Sequence, residues 1–139
     1  MSESRRASAR ILHPVTWAAP RGYSDGIVSS GRLVVLAGQV GWNPALARFE
    51  ADEFTAQVKQ ALQNVVTLLA EAGAEPRHLV RLTWYVTDRA AYNAERKEIG
   101  RAYREVIGAH YPAMSVVFVA ALVEERAKVE IEATAVVEG

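Results

Sequence analysis

Residues 127–135 alternate between apolar and polar side chains, within a predicted strand that runs to Val137. This period of two is typical of a strand with one face in a core. The apolar set is Val129, Ile131, Ala133 and Ala135, and the polar set is Lys128, Glu130, Glu132 and Thr134. A second apolar run, residues 110–122, precedes a charged turn at residues 124–126. We therefore expect two closing strands that pair with each other.

Two longer segments show the spacing of amphipathic helices. In residues 52–72 apolar side chains recur every three or four positions, which predicts one buried stripe. Asp52 is suited to cap this helix and Gly73 to end it. Residues 89–107 repeat the pattern, with Asp88 as the expected N-cap.

Three further runs predict strands. Residues 27–30 and 33–37 flank Gly31 and are expected to form a tight hairpin, and residues 79–87 alternate as a half-buried strand. The order of elements is then β-β-α-β-α-β-β. A helix between two strands makes them parallel, and a short turn makes them antiparallel. We therefore predict an α+β fold with a mixed sheet and two helices on one face.

Length and hydrophobicity predict a single domain that associates with copies of itself. The chain has 139 residues, half of them hydrophobic, which is enough for one core. We assign residues 1–12 to a flexible N-terminal tail and residues 13–139 to the domain. Residues 116–122 are apolar on both faces of their strand, yet no third helix is predicted to cover the second face. Self-association would cover it.

Charge and residue types argue against several functions. Sixteen basic and sixteen acidic residues balance, so no field favours nucleic acid or a membrane surface. Cysteine is absent, which excludes disulfides and thiolate chemistry. His13, His78 and His110 are scattered, and we expect neither a metal site nor a cofactor. No apolar run reaches the length of a membrane span, so we expect a cytoplasmic protein.

Glu130 and Glu132 are the strongest catalytic candidates in the sequence. Positions i and i+2 of a strand lie about 7 Å apart on one face. Two carboxylates at that separation raise the pKa of one of them, which can create a general acid or base. The alternative is a solvated strand face on which Lys128 and Arg126 neutralise the pair.

Five segments, taken in order, resemble the YjgF/RidA (reactive intermediate deaminase) family. They are Leu36–Gln39 (Leu-Ala-Gly-Gln), residues 57–74, residues 79–88, Tyr111–Ser115 (Tyr-Pro-Ala-Met-Ser) and Val129–Ala133 (Val-Glu-Ile-Glu-Ala). The resemblance covers nearly the whole chain. It implies a chorismate-mutase-like fold and a homotrimer whose sheets line a central barrel. It also implies small-molecule pockets at the subunit interfaces.

The resemblance further implies a reaction and the residues that perform it. Deaminating members of the family hydrolyse imines and enamines to a keto acid and ammonia. A glutamate in their last strand orients the attacking water, and it corresponds to Glu130. A tyrosine near their first strand closes the pocket and corresponds to Tyr23, while Gly38 lies on the implied pocket wall.

One position departs from the family pattern. An arginine in the family's Pro-Ala-Arg-Ser motif holds the substrate carboxylate, and Met114 occupies that position here. Methionine cannot supply the charge-assisted hydrogen bonds that a carboxylate needs. Lys97 lies near the position of an asparagine of the deaminases, and Arg21 is either a replacement cation or an exposed loop residue. We therefore expect little turnover of 2-imino acids.

Two functions stay open on the sequence. The first is a RidA-like hydrolase of carbon–nitrogen bonds outside peptides, with a changed substrate, Met114 against an apolar group and Glu130 positioning water. The second is a trimeric small-molecule-binding or regulatory protein without catalysis. The ribonuclease label that the family sometimes carries gains no support, because the charge is neutral and no histidine pair is present.

Overall fold

The main sheet of the protein has four strands in the order β3-β6-β4-β5. The computed structural model describes residues 9–138. The main-sheet strands are β3 (Arg32–Val40), β4 (Leu79–Val86), β5 (Ala113–Phe118) and β6 (Val129–Val137). A second sheet is formed by β1 (Arg10–Leu12) and β2 (Gly26–Val28). The helices are α1 (Phe54–Glu71), α2 (Arg89–Ala94) and α3 (Arg96–Val106), and a 3-10 turn covers Pro76–His78.

Strand β6 lies between β3 and β4 and is antiparallel to both, whereas β5 is parallel to β4. The parallel pair is what a helical crossover between two strands produces. Helices α1 and α3 contact each other and share one core with the apolar face of the sheet. The prediction of an α+β fold with a mixed sheet and two main helices is therefore confirmed.

Two predicted strand pairings are wrong. The hairpin between residues 27–30 and 33–37 does not form, because β2 pairs with β1 and β3 pairs with β6. At Gly31 a Cβ would overlap the Val137 carbonyl, so the chain lies directly against the end of β6 there. The closing strands do not pair either, since the segment between β5 and β6 is long enough to carry the chain past β4.

The apolar face of β6 lies in the core, as its alternation predicts. Val129, Ile131 and Ala135 are fully buried, and Ala133 is 2% exposed. The stripe of α1 packs onto this face. The fully buried members of that stripe are Val58, Ala61, Leu62, Val65 and Leu69.

The predicted N-cap of α1 is wrong. The helix begins at Phe54, and Glu53 occupies the N-cap position without a side-chain hydrogen bond. Asp52 instead accepts a 2.6 Å hydrogen bond from Arg126 Nη2. This bond and the nearby guanidinium charge lower the pKa of the Asp52 carboxyl. Gly73 follows the helix with a φ of 70°, as expected for a residue that ends one.

The second predicted helix is divided at Glu95. Asp88 caps α2 as predicted, because its Oδ1 accepts a 2.9 Å hydrogen bond from the Ala91 backbone N–H. Glu95 then ends α2 and precedes α3. Its Oε1 accepts a 2.7 Å hydrogen bond from the Thr55 hydroxyl, which ties the break to α1.

A buried glutamine on α1 holds the chain just before β6. Gln57 is fully buried, and its Nε2 donates to the carbonyls of Ala51 and Arg126 at 3.1 and 3.0 Å. Its Oε1 accepts a 2.8 Å hydrogen bond from the Lys128 backbone N–H. Lys128 lies two residues before Glu130, so Gln57 fixes the position from which β6 starts.

A buried asparagine two helical turns further along α1 does the same for the end of β3. Asn64 Nδ2 donates to the carbonyls of Val40 and Trp42 at 3.2 and 3.0 Å. Helix α1 also approaches so closely that a Cβ on Gly41 would overlap the backbone of Gln57. The start of β6, which carries Glu130, and the end of the neighbouring β3 are thus tied to one helix.

The face of the sheet away from the helices is uncovered in the single chain. Leu33 and Val35 of β3 are 67% and 70% exposed, and Val117 of β5 is 41% exposed. Strand alternation places Val35 and Val117 opposite the side on which Ile131 is buried. This face therefore combines exposed apolar residues with the carboxylates of β6.

Strand β1 falls within residues 1–12, the segment that the sequence prediction assigned to a tail. Residues 1–8 of that segment, and residue 139, lie outside the described residues. Across the part of the chain that the structure describes, no helix is both long enough and apolar enough to cross a membrane.

Replacement of Gln57 by leucine is expected to lower the free energy of unfolding by about 2–4 kcal/mol, because it leaves buried backbone groups without partners. Chemical denaturation monitored by circular dichroism measures the change. Gln63→Leu is the matched control, since Gln63 lies exposed on the same helix. Equal effects of the two substitutions would show that the bonds of Gln57 do not stabilise the fold.

Candidate functional site

The sheet carries the predicted site residues near two opposite edges. Glu130 of β6 lies beside β3 and next to Gly38. Met114 lies on β5, at the other edge of the sheet, where it pairs with Leu82. Glu130 pairs with Tyr85, three positions after Leu82, so Glu130 and Met114 also point to opposite faces. One copy of the chain does not bring these two residues together.

A β-bulge at Ala37 and Gly38 brings β3 close to Glu130. The register between β3 and β6 shifts between Leu36 and Gln39. A Cβ added to Gly38 would overlap the Glu130 carboxylate. Glycine therefore leaves the room in which this half-buried carboxylate lies against the strand.

Glu132, the second carboxylate of β6, is engaged by Tyr85. The Tyr85 hydroxyl donates a 2.6 Å hydrogen bond to Glu132 Oε1, and this bond raises the pKa of Tyr85. Within residues 9–138, no hydrogen bond joins the Glu130 carboxylate to another group of the protein. Glu130 is thus available to bind a water or a ligand, whereas Glu132 stabilises the strand pair.

The segment with Arg21 and Tyr23 runs along the start of β5. The Ser24 hydroxyl donates to the Tyr111 carbonyl and fixes this segment. Tyr23 is 42% exposed and lines a groove that also contains Tyr111. Arg21 is exposed and lines neither this groove nor the cavity beside Met114.

Met114 lines a cavity of about 220 Å³ between the β4–β5 edge of the sheet and α3. The apolar walls of this cavity are formed by Trp84, Tyr92, Ile99, Tyr103, Tyr111 and Val116. Within residues 9–138, the buried Trp84 Nε1 donor has no acceptor. The volume lies below the roughly 300–1,000 Å³ of sites for drug-sized ligands, so the cavity fits a small molecule.

The charged residues of the cavity are two arginines of α3 that the sequence prediction missed. Arg96 and Arg104 line it, and Lys97, the residue noted from the sequence, is exposed and does not. Arg96, Gly100 and Arg104 are spaced by four positions and share one face of the helix. That spacing was the available signal, although it resembles any solvated helix face.

Tyr103 closes the inner end of the cavity. Its hydroxyl donates a 2.6 Å hydrogen bond to the His110 carbonyl, and its ring stacks on Tyr111 with the centroids 5.4 Å apart. Burial raises the pKa of Tyr103 far above its ordinary value. Tyr103 therefore stays neutral and forms a structural wall of the cavity.

The histidines make local contacts at separate places. His13 Nδ1 lies 3.0 Å from Asp25 Oδ2, and His110 Nε2 lies 2.8 Å from the Leu79 carbonyl. His78 Nδ1 accepts a 2.9 Å hydrogen bond from the backbone N–H of Glu75, the residue before the 3-10 turn. Among residues 9–138, no three His, Cys, Asp or Glu side chains are grouped as metal ligands would be.

The fold agrees with a known class of small α+β proteins. The family profile described as Endoribonuclease L-PSP matches residues 15–137. The chain therefore belongs to the YjgF/RidA family, and the membership expected from the resemblance is confirmed.

Several relatives place the chain within this family. A RutC family protein of Haemophilus influenzae is 35% identical over 91% of this chain and 96% of its own length. A 2-iminobutanoate/2-iminopropanoate deaminase of Escherichia coli (strain K12) is 35% identical over 78% of this chain and 83% of its own length. The crystal structure of the Rid-family protein YyfB of unknown function from Yersinia pestis is 34% identical, with a TM-score of 0.83, and covers 94% of this chain and 99% of its own.

Gly38→Ala is expected to turn the Glu130 side chain away from β3, because the new methyl group takes its place. The overlap involves a side chain that can rotate, so we expect the free energy of unfolding to fall by less than about 1 kcal/mol. A crystal structure of the variant and a denaturation curve measure the two effects. Gly41→Ala is the contrasting variant, since its methyl group would meet helix backbone and should destabilise far more. An unmoved Glu130 would contradict the prediction.

Proposed function

We propose that the protein is a homotrimeric hydrolase of the RidA type that releases ammonia from imines or enamines. Its family includes 2-iminobutanoate/2-iminopropanoate deaminases. The observation that carries the proposal is the Glu130 carboxylate, which lies against Gly38 and is free of hydrogen bonds to residues 9–138. A half-buried carboxylate with no protein partner is suited to hold and activate a water.

The pocket that we propose is shared between two copies of the chain. Gly38 and Glu130 would come from one copy, and Tyr23 and Met114 from the next. Within one chain Glu130 and Met114 lie near opposite edges of the sheet and point to opposite faces, so a pocket that contains both needs two copies, as a closed ring would supply. The exposed apolar face of the sheet supports association of this kind, because it needs cover.

In the proposed reaction, Glu130 orients a water toward the carbon of a C=N bond. The water oxygen bonds to that carbon as the C=N double bond opens, Glu130 accepts a proton from the water, and the nitrogen takes up a proton from solvent. In the resulting carbinolamine, Glu130 returns its proton to the nitrogen, the C–N bond breaks to release ammonia, and the hydroxyl loses its proton to solvent to leave a carbonyl compound. Tyr23 would limit access of bulk water to the site, and the reaction needs no cofactor.

Met114 is the basis for a changed substrate specificity. A charged hydrogen bond to a carboxylate contributes about 1.5–3 kcal/mol, and methionine contributes none of it. In the proposed pocket, Met114 contacts an apolar part of the substrate. The same residue also favours the second candidate function, a trimeric binding or regulatory protein that has lost catalysis.

Wild-type protein is expected to release little ammonia from 2-iminopropionate generated in place by an amino-acid oxidase. A screen of imines and enamines with apolar substituents is expected to find a better substrate. For that substrate Glu130→Gln should lower kcat by roughly 100-fold or more, because the water loses its general base.

Glu132→Gln is the matched control, since Glu132 is bound to Tyr85, and we expect it to keep most of the activity. An unchanged rate in Glu130→Gln would remove Glu130 from the mechanism. If no substrate is turned over while ligands still bind, the non-catalytic function is the correct one.

Sedimentation velocity at micromolar concentration is expected to show a trimer. Val35→Glu should dissociate it, because a charge would be buried in the proposed interface. Val123→Glu is the matched control: Val123 is 96% exposed and lies in the loop between β5 and β6, outside the strands of the sheet. A monomeric wild-type protein would contradict the shared pocket.

A further inference from the structure

The cavity beside Met114 has a positive charge supplied by a helix rather than by β5. Arg96 and Arg104 of α3 line it on either side of Gly100. Of the residues that line the cavity in the described part of the chain, none is an aspartate or a glutamate. The cavity is therefore an electropositive site with aromatic walls.

Arg104 is directed over the cavity by the glycine in its own helix. A Cβ added to Gly100 would lie 3.3 Å from Arg104 Nη1, so the guanidinium extends back across this position. Glycine inside a helix costs about 1 kcal/mol relative to alanine. The absence of a side chain at Gly100 leaves room for the Arg104 guanidinium to lie close to the helix. Within residues 9–138 Arg104 forms neither an ion pair nor a side-chain hydrogen bond.

Arg96 is held in place by its neighbours. Its guanidinium carbon lies 5.1 Å from the centroid of the Tyr92 ring, and its Nη2 donates a 3.0 Å hydrogen bond to Asn93 Oδ1. A guanidinium that stacks on an aromatic ring keeps its remaining N–H donors for a second partner. Arg96 thus adds a second positive charge to the cavity, from the same face of α3 as Arg104 and about two helical turns before it.

We propose that Arg104, assisted by Arg96, binds the carboxylate of a small ligand in the cavity beside Met114. A guanidinium binds a carboxylate through two parallel hydrogen bonds, which makes it the side chain best suited to this task. The ring walls and Met114 then contact the apolar part of the ligand. The inference deepens the proposed function, on which its identification of the ligand as a substrate rests.

The indole N–H of Trp84 lies behind the cavity wall, out of reach of a ligand. Its Nε1 is buried, and a buried donor without an acceptor costs about 1–3 kcal/mol. Trp84 forms part of the cavity wall. The cavity therefore offers its ligand the ring surface of Trp84 rather than the indole N–H.

The test measures binding of 2-oxobutanoate and of its neutral primary amide by isothermal titration calorimetry on the full chain. We expect the wild-type protein to bind the carboxylate more tightly than the amide, with an affinity that falls as salt is added. Arg104→Met should raise the Kd for the carboxylate roughly tenfold or more, and should leave binding of the amide unchanged. Arg96→Met should have a smaller effect in the same direction.

Arg101→Met is the matched control, because Arg101 is exposed on the same helix and does not line the cavity. Arg104→Lys keeps the charge and should retain part of the affinity, which separates the loss of an anchor from a failure to fold. Met114→Arg, added to Arg104→Met, should restore carboxylate binding from the opposite wall. An Arg104→Met variant with wild-type affinity and salt dependence, or equal binding of acid and amide by the wild type, would overturn the proposal.

Binding and turnover, measured on the same variants, separate this proposal from the proposed hydrolase. Binding that depends on Arg104 in a protein that turns over no imine supports the anchor and overturns the hydrolase. Turnover of a carboxylate-bearing imine that depends on Glu130 but is indifferent to Arg104→Met supports the hydrolase and overturns the anchor.

Discussion

The alternation of side chains along β6 is the constraint on which both the core and the candidate site depend. Its apolar residues are buried beneath α1, and its two glutamates lie on the opposite face. A shift of one residue in the pairing with β3 and β4 would carry Glu130 and Glu132 into the core. Burial of unpaired carboxylates costs several kcal/mol each, so the register is strongly specified. The force that fixes the core thus also fixes the position of the candidate water-binding carboxylate.

Two buried side-chain amides fix the positions of β3 and β6 at the site. Gln57 binds the chain two residues before Glu130, and Asn64 binds the end of β3 two residues after Gly38. Both amides project from α1, so the bulge and the carboxylate are positioned by one rigid element. The apolar residues of α1 stabilise its packing on the sheet, and the two amides align it with β3 and β6. A site on strand ends gains precision from such support, because its own residues are partly exposed.

Local periodicity was sufficient to predict the four strands of the main sheet and the two helical segments, but not strand β1, the break at Glu95 or how the strands pair. The stripe of α1, the alternation of β6 and the Asp88 cap depend on neighbours in sequence, and each was recognised. The pairing of β2 with β1, and the insertion of β6 between β3 and β4, depend on contacts between distant segments that no local pattern encodes. The same limit applied to the site. The contact of Gly38 with Glu130 requires the register, and Arg96 and Arg104 resemble ordinary surface arginines until a cavity is seen between them.

The arginines on the opposite wall of the cavity offer an explanation for the methionine at position 114. In the family pattern a strand arginine holds the substrate carboxylate, whereas the cations of this chain lie on α3, across the cavity from Met114. A ligand anchored by Arg104 would direct its charged end toward the helix and its apolar part toward β5. Met114 would then be the surface that such a ligand requires, because an arginine there would be desolvated by an apolar group. The absence of the strand arginine and the presence of Arg96 and Arg104 would thus both follow from one change: the bound molecule lies in the reverse orientation.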